Sequence, residues 1–296
     1  MTTIGFIGLG NMGSPMAANL VKAGYKVRGY DLFSGARNRA ADDGVAIASS
    51  AVDTAKDAGI VITMLRSGSE VLEVFSDLAR VARPGTLLVD CSTIDVESAR
   101  KAHAIAQTAG ALSLDAPVSG GTGGAKAATL TFMAGGTKDA FAMAEPALGK
   151  MGKRLVHCGE AGAGQAAKIC NNMILGISMI GVCEAFALAA RLGLSDQALF
   201  DVASTSSGQC WSINTYCPVP GPVPTSPANN DYKPGFATAL MLKDLMLSQE
   251  AARAAGAVTP LGAEAAQIYA LFDKLGHGGT DFSGIIKLFR DGAGEA

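Results

Sequence analysis

The chain has 296 residues, 49% hydrophobic and 17% charged, with a formal net charge of −2 at pH 7. That length makes one large domain or two ordinary ones, with ample material for a buried core. A near-neutral chain without a Lys/Arg block excludes a polyanion-binding surface, so no nucleic-acid partner is expected. None of the six cysteines falls in a C-x-x-C pair, so no metal site is expected. Cys170 and Cys183 lie among apolar residues and read as small hydrophobes, which suits a reducing compartment. The first strand follows directly on Met1-Thr2-Thr3, so no signal or transit peptide is expected. The longest apolar stretch, Met173 to Ile180, is too short for a bilayer. A cytoplasmic protein without a membrane partner is therefore expected.

The first half alternates between strand and helix signals. Apolar strand-length runs fall at Ile4–Ile7, Val27–Tyr30, Ile60–Leu65, Leu87–Asp90 and Ala111–Asp115, with helical segments at Ser14–Ala23, Ser69–Val81 and Val96–Thr108. Strands apolar throughout suit a parallel sheet buried on both faces, and the alternation predicts a doubly wound, Rossmann-like α/β domain. Two more strands, Thr129–Ala134 and Arg154–Cys158, flank a helix over Lys138–Met151. After Gly164 strand signals stop, and Gln165–Leu192 predicts one helix about 40 Å long at 1.5 Å per residue. Further helices are expected near Asp196–Ser204, Phe236–Ala255, Leu261–Lys274 and Ser283–Arg290. Five prolines between Tyr216 and Asn230 forbid helix or central strand there and leave a linker or a lid. The expected domains are 1–163, α/β, and 164–296, all-α, joined by the long helix.

Chemistry begins at the first turn. Gly8-Leu9-Gly10-Asn11-Met12-Gly13 fits G-x-G-x-x-G, with a strand before it and a helix after it. Gly8 allows the tight turn, Gly10 the approach of a pyrophosphate, and Gly13 the close packing of helix on strand. The helix N-terminus offers N–H groups and a positive dipole end to phosphates. Asp31 closes the second strand about 20 residues further on, where an acid accepts the ribose hydroxyls and repels a 2′-phosphate. NAD rather than NADP is expected, although Arg37 and Arg39 lie near enough to swing in. Downstream, Ser119-Gly120-Gly121 follows a strand end as a loop and offers backbone N–H groups and a hydroxyl to a carboxylate, with a flexible turn as the alternative reading. Gln165, Lys168 and Asn172 share one helix face among small and apolar neighbours. A snorkelling surface lysine is the alternative reading of Lys168.

Gly5 to Gly13, Asp115 to Gly121, Thr129 to Met133 and Gly164 to Asn172 together resemble the β-hydroxyacid dehydrogenase family, as do Ser206 to Trp211, Tyr216 to Gly221 and Lys243-Asp244-Leu245. The resemblance runs from Thr3 to about Phe289. It implies that Lys168 is the catalytic acid/base, that Ser119, Gly120 and Gly121 hold the substrate carboxylate, and that Asn172 orients the substrate. It further implies that Leu65, Arg66, Thr93 and Lys243 touch the cofactor; at Arg66 the family carries proline. The implied reaction is NAD-dependent oxidation of a small 3-hydroxy acid, 3-hydroxyisobutyrate foremost, by a homodimer or homotetramer. Reduction of tartronate, glyoxylate or succinic semialdehyde is the sibling alternative, and a non-catalytic NAD-binding protein is the alternative of another class. The resemblance gives no role to Ser113, Ser178 or the histidines His103, His157 and His277, and no His-based triad is visible in the sequence.

Overall fold

The computed structural model describes residues 2–290; residue 1 and residues 291–296, the outer ends of both expected domains, lie outside the described residues. The chain forms two compact units that part between Lys168 and Ile169, within the long helix.

The first unit carries strands β1 (Thr3–Ile7), β2 (Lys26–Tyr30), β3 (Ala46–Ile47), β4 (Ile60–Thr63), β5 (Leu87–Asp90), β6 (Leu112–Asp115), β7 (Val118–Ser119), β8 (Leu130–Gly135) and β9 (Gly152–Gly159). Its helices are α1 (Gly13–Lys22), α2 (Ser34–Asp42), α3 (Ala51–Thr54), α4 (Gly68–Ala79), α5 (Val96–Thr108), α6 (Gly121–Ala127) and α7 (Lys138–Leu148). The strands form one sheet in the order β3-β2-β1-β4-β5-β6-β8-β7, with β9 on β8. From β3 through β6 every pairing is parallel. The chain then reverses, because β8 runs antiparallel to both β6 and β7, and β9 runs parallel to β8. The all-parallel expectation therefore holds only for the first six strands. A two-residue strand and a short glycine-rich helix intervene between β6 and β8 and reset the direction.

The central strands are buried on both faces, as their unbroken apolar character requires. Ile4, Phe6, Ile60, Ile62, Leu87 and Val89 enter one core, while Ile7, Val61 and Leu88 enter the other. Consecutive side chains thus alternate between two helix-covered faces.

Helix α8 (Ala163–Arg191) starts the helical remainder. It is followed by α9 (Asp196–Ala203), α10 (Trp211–Asn214), α11 (Thr238–Ala255), α12 (Pro260–Phe272) and α13 (Ile286–Arg290). The helix expected as far as Lys274 ends at Phe272, and a π turn follows over Asp273–His277. The second unit has its own core, built from Met179, Cys183 and Phe186 of α8, Leu245 of α11, Tyr269 and Phe272 of α12, and Phe282. By length and composition alone α8 is apolar enough to cross a membrane. The count of uninterrupted apolar residues missed this, since single polar residues break the run. The core it enters accounts for part of that composition, since 39% of the apolar window is buried and Ile174 and Leu188 are exposed.

The proline-rich segment is neither a slack linker nor a free strap. Cys217 and Val219 are fully buried, Tyr232 Oη donates to Pro218 O at 2.8 Å, and Asn229 Nδ2 donates to Val223 O at 2.8 Å. Cys183 is buried but Cys170 is exposed, contrary to its apolar sequence context. It lies on the side of α8 opposite the buried polar face.

Candidate active site

Five parallel strands end side by side, and the residues following them are the ones the sequence singles out. The first turn leaves β1 at Gly8, whose φ of +91° favours glycine and whose Cβ would lie 2.2 Å from Met64 O. A Cβ on Gly13 would lie 1.8 Å from Gly8 O, so this glycine is what lets α1 start directly against the strand end. A Cβ on Gly10 would meet nothing within 4 Å. The middle glycine is therefore not demanded by packing, and its bare backbone faces open space where a phosphate can approach. Helix α1 has no side-chain cap and no acid in its first turn, which leaves its positive end to an external anion. These features fit a dinucleotide.

Asp31 stands at the end of β2, and its carboxylate accepts from Leu9 N at 2.7 Å and from Phe33 N at 2.8 Å. It is thereby aimed beside the glycine turn. Arg37 is held by the carbonyls of Asp31 and Leu32 and lies 5.9 Å from the Tyr30 ring centre. After β4, Leu65 N donates to Ser92 Oγ at 2.8 Å. Arg66 N donates to Glu70 Oε2 at 3.1 Å, and its guanidinium pairs with the same carboxylate. A proline at 66 could not make the first of these bonds. After β5, Ser92 Oγ donates to Asp90 Oδ1 at 2.6 Å, and Thr63 Oγ1 donates to the same oxygen at 2.7 Å. Asp90 is 3% exposed, and its second oxygen has no hydrogen-bond partner among the described residues. Burial pushes its carboxyl up to about 6, against those hydrogen bonds, with the charge of Asp115 adding to the rise. Thr93 follows in the same loop.

Beyond β6, Ser119 ends β7, and Gly120, with φ +128°, opens α6 at Gly121. The segment is thus the start of a short helix rather than a plain loop.

On α8, Gln165, Lys168 and Asn172 are 0%, 7% and 2% exposed, while Ala166, Cys170 and Asn171 face outward. The polar face is therefore buried, and Lys168 does not snorkel to solvent. Gln165 Nε2 donates to Ser92 O at 2.7 Å, and Gln165 Oε1 accepts from Ile94 N at 3.1 Å, so one side chain brackets Thr93. Asn172 lies one turn past Lys168, beyond the boundary of the first unit. Its carboxamide accepts from Asn171 Nδ2 at 2.9 Å and donates to the buried Asp244 of α11. Lys243, next to Asp244, belongs to the second unit as well.

Sequence reasoning missed Asp115, whose buried carboxylate accepts from Gly162 N and Gln165 N. It also missed a hydrogen-bonded string, Ser113 Oγ to His103 Nδ1 at 2.6 Å and His103 Nε2 to Asp115 Oδ1 at 2.9 Å. The string joins α5 to two residues on β6, and no local pattern announces it. The acid closing a strand just before the glycine-rich segment was the available signal.

The family model described as the NAD binding domain of 6-phosphogluconate dehydrogenase matches residues 3–159. The model described as NAD-binding of NADP-dependent 3-hydroxyisobutyrate dehydrogenase matches residues 162–289. A probable 3-hydroxyisobutyrate dehydrogenase of Mycobacterium tuberculosis is 55% identical over 290 residues, covering 98% of each chain. An NAD-dependent L-serine dehydrogenase of Pseudomonas aeruginosa is 47% identical over 293 residues, again covering 98% of each chain. A solved structure described as the M. tuberculosis 3-hydroxyisobutyrate dehydrogenase with L-serine superimposes with a TM-score of 0.95 at 55% identity, over 98% of this chain and 99% of that one. The chain is an oxidoreductase with an NAD-binding domain, and it belongs to the 3-hydroxyisobutyrate dehydrogenase branch of the β-hydroxyacid dehydrogenase family.

Proposed function

We propose that this enzyme oxidises 3-hydroxyisobutyrate to methylmalonate semialdehyde, a step of valine breakdown, with NAD in preference to NADP. The observation that carries the chemistry is Lys168, buried on the first turns of a helix that begins at the carboxyl edge of the dinucleotide sheet. Bound along the glycine turn, the cofactor supplies the hydride acceptor. Gly8 to Gly13 hold its pyrophosphate, Asp31 its ribose hydroxyls, and Leu65, Arg66, Thr93 and Lys243 its remaining length. Ser119, Gly120 and Gly121 hold the substrate carboxylate through N–H groups and a hydroxyl at the start of α6. Asn172 orients the alcohol. As the C–H bond yields its hydride, the neutral Lys168 amine takes the hydroxyl proton; in the reverse direction its ammonium returns it. Oxidation needs the neutral amine and reduction the ammonium, so a higher pH favours oxidation and a lower pH favours reduction. NAD is favoured because Asp31 repels a 2′-phosphate and Arg37 is engaged with carbonyls. The active form is a homodimer or homotetramer in the cytoplasm. Exposed Ile174 and Leu188 on α8 support assembly through that helix.

A second reading is oxidation of L-serine, favoured by the P. aeruginosa relative and by the L-serine named with the M. tuberculosis structure. Both substrates are primary alcohols one carbon from a carbon that bears a carboxylate; they differ in methyl against ammonium at that carbon. Side-by-side kcat/KM values at saturating NAD decide between them. At least about tenfold in favour of 3-hydroxyisobutyrate, roughly the discrimination one apolar group allows, supports the first reading. Equal or higher values for L-serine replace it with the second. A semialdehyde reductase shows instead as faster turnover of tartronate or succinic semialdehyde.

A further inference from the structure

The carboxyl edge of the first unit holds a group of buried and half-buried polar side chains that this reaction does not use. Asp115, 2% exposed, accepts at Oδ1 from Gly162 N at 2.8 Å and from His103 Nε2 at 2.9 Å. At Oδ2 it accepts from Gln165 N at 2.9 Å. Ser113 completes a Ser-His-Asp string, but not a nucleophilic triad. The cavity beside it, lined by Asp90, His103, Ser113 and Asp115 among others, measures about 10 Å³. That is room for about one water and none for an acyl substrate. With His103 donating from Nε2, its Nδ1 is left to accept from the serine hydroxyl. Every donor in the string thus points toward the Asp115 carboxylate.

What Asp115 grips is the start of the lysine helix. The N–H groups of Gly162 and Gln165 belong to the first turn of α8 and the residue before it, where no carbonyl of the helix can serve them. A carboxylate from a neighbouring strand does the work of an N-cap, with its charge at the positive end of the helix dipole. The grip has no slack. A Cβ on Gly164 would lie 2.3 Å from Met133 O and 2.7 Å from Asp115 O. A Cβ on Gly135 would lie 2.6 Å from both Asp115 Oδ1 and Gly164 N. Helix and sheet edge meet backbone to backbone, and Lys168 follows one turn later. Gln165, held through its N–H, also brackets the loop that carries Thr93.

We infer that Asp115 is a positioning residue for the reaction. Its carboxylate, fixed by His103 and Ser113, sets the register of the Lys168 helix on the strand edge that carries the cofactor loops. The inference rests on the reading of Lys168 as the proton carrier.

The test is a double-mutant cycle in the full-length protein: wild type, Asp115→Asn, Lys168→Ala and the double variant. Hydride transfer is followed at 340 nm and dinucleotide binding by fluorescence. Asparagine keeps the size and one acceptor but turns an N–H group toward a helix N–H. The expected result is a kcat about tenfold or more lower, as small misplacements of a reacting group cause, with KM and dinucleotide Kd changed less than about threefold. The double variant is expected to be no slower than Lys168→Ala alone, because both changes act through one amine. Losses that multiply, or a loss carried by KM and dinucleotide binding, overturn the inference and leave the role of Lys168 standing. Near-normal turnover of Lys168→Ala overturns the reading beneath it. Should Asp115→Asn not fold, His103→Leu leaves both helix N–H bonds in place. It is expected to show a smaller fall in kcat with the same split, and an unchanged kcat overturns the inference.

Discussion

Each unit buries carboxylates, and the two units treat them differently. In the second unit, the fully buried Asp281 accepts from Tyr216 Oη, Gly235 N, Phe236 N, Ser283 N and Ser283 Oγ. Five donors saturate it, and they tie the proline-rich segment to the chain after α12. In the first unit, Asp90 crowds three donors onto one oxygen and leaves the other without a hydrogen-bond partner among the described residues. Asp115 spends its oxygens on the start of the lysine helix. A saturated carboxylate is scaffold, since every group around it would be stranded by its loss. An incompletely satisfied one in a polar cluster at a strand edge is where a fold accepts cost for a site.

That contrast can be broken in three places. The largest effect belongs to Asp281→Ala, which strands three backbone N–H groups and two hydroxyls. It should lower stability by about 3–5 kcal/mol, read as a shift in the urea midpoint. Dinucleotide binding by whatever remains folded should survive. A loss below about 1 kcal/mol would show that the knot is decoration. Next comes Asp31→Ala, which on the proposed reading removes the charged acceptor for the two ribose hydroxyls. NAD should bind about 10- to 100-fold more weakly and NADP less so, measured by titration calorimetry. Equal weakening of both would deny Asp31 its selective role. The smallest effect concerns Asp90. The folded protein holds its proton between 3.8 and about 6, where the unfolded chain has lost it. Its contribution to stability therefore falls as pH rises through that window and stays low above it. Asp90→Asn should melt a few degrees above wild type at pH 8, with the gap closing toward pH 4. A gap that widens on acidification would reverse the sign of that burial cost.

Local chemistry was legible in the sequence because it is local. The glycine turn, the acid closing β2 and the shared face of Gln165, Lys168 and Asn172 all follow from spacing within one element or one strand–helix unit, whereas the burial of that face does not. The reversal at β8 was not legible, since a run such as Leu130–Gly135 reads the same in either direction. Nor was α6, whose glycines and alanines mimic a loop. The bonds from Asp115 to Gly162 and from Gln165 to Ser92 join residues 47 and 73 apart, so only the assembled sheet edge reveals them. Arg66 donates its backbone N–H to Glu70, a bond that a proline at that position could not make.

The central claim is that a buried lysine at the start of α8 carries the proton of a hydroxy-acid oxidation, on a sheet edge that separately binds the dinucleotide. Single-turnover oxidation by Lys168→Ala, with NAD affinity measured on the same sample, tests it most directly. The account predicts a rate about 10² or more below wild type with NAD affinity within about threefold. A near-normal rate with intact NAD binding would contradict it.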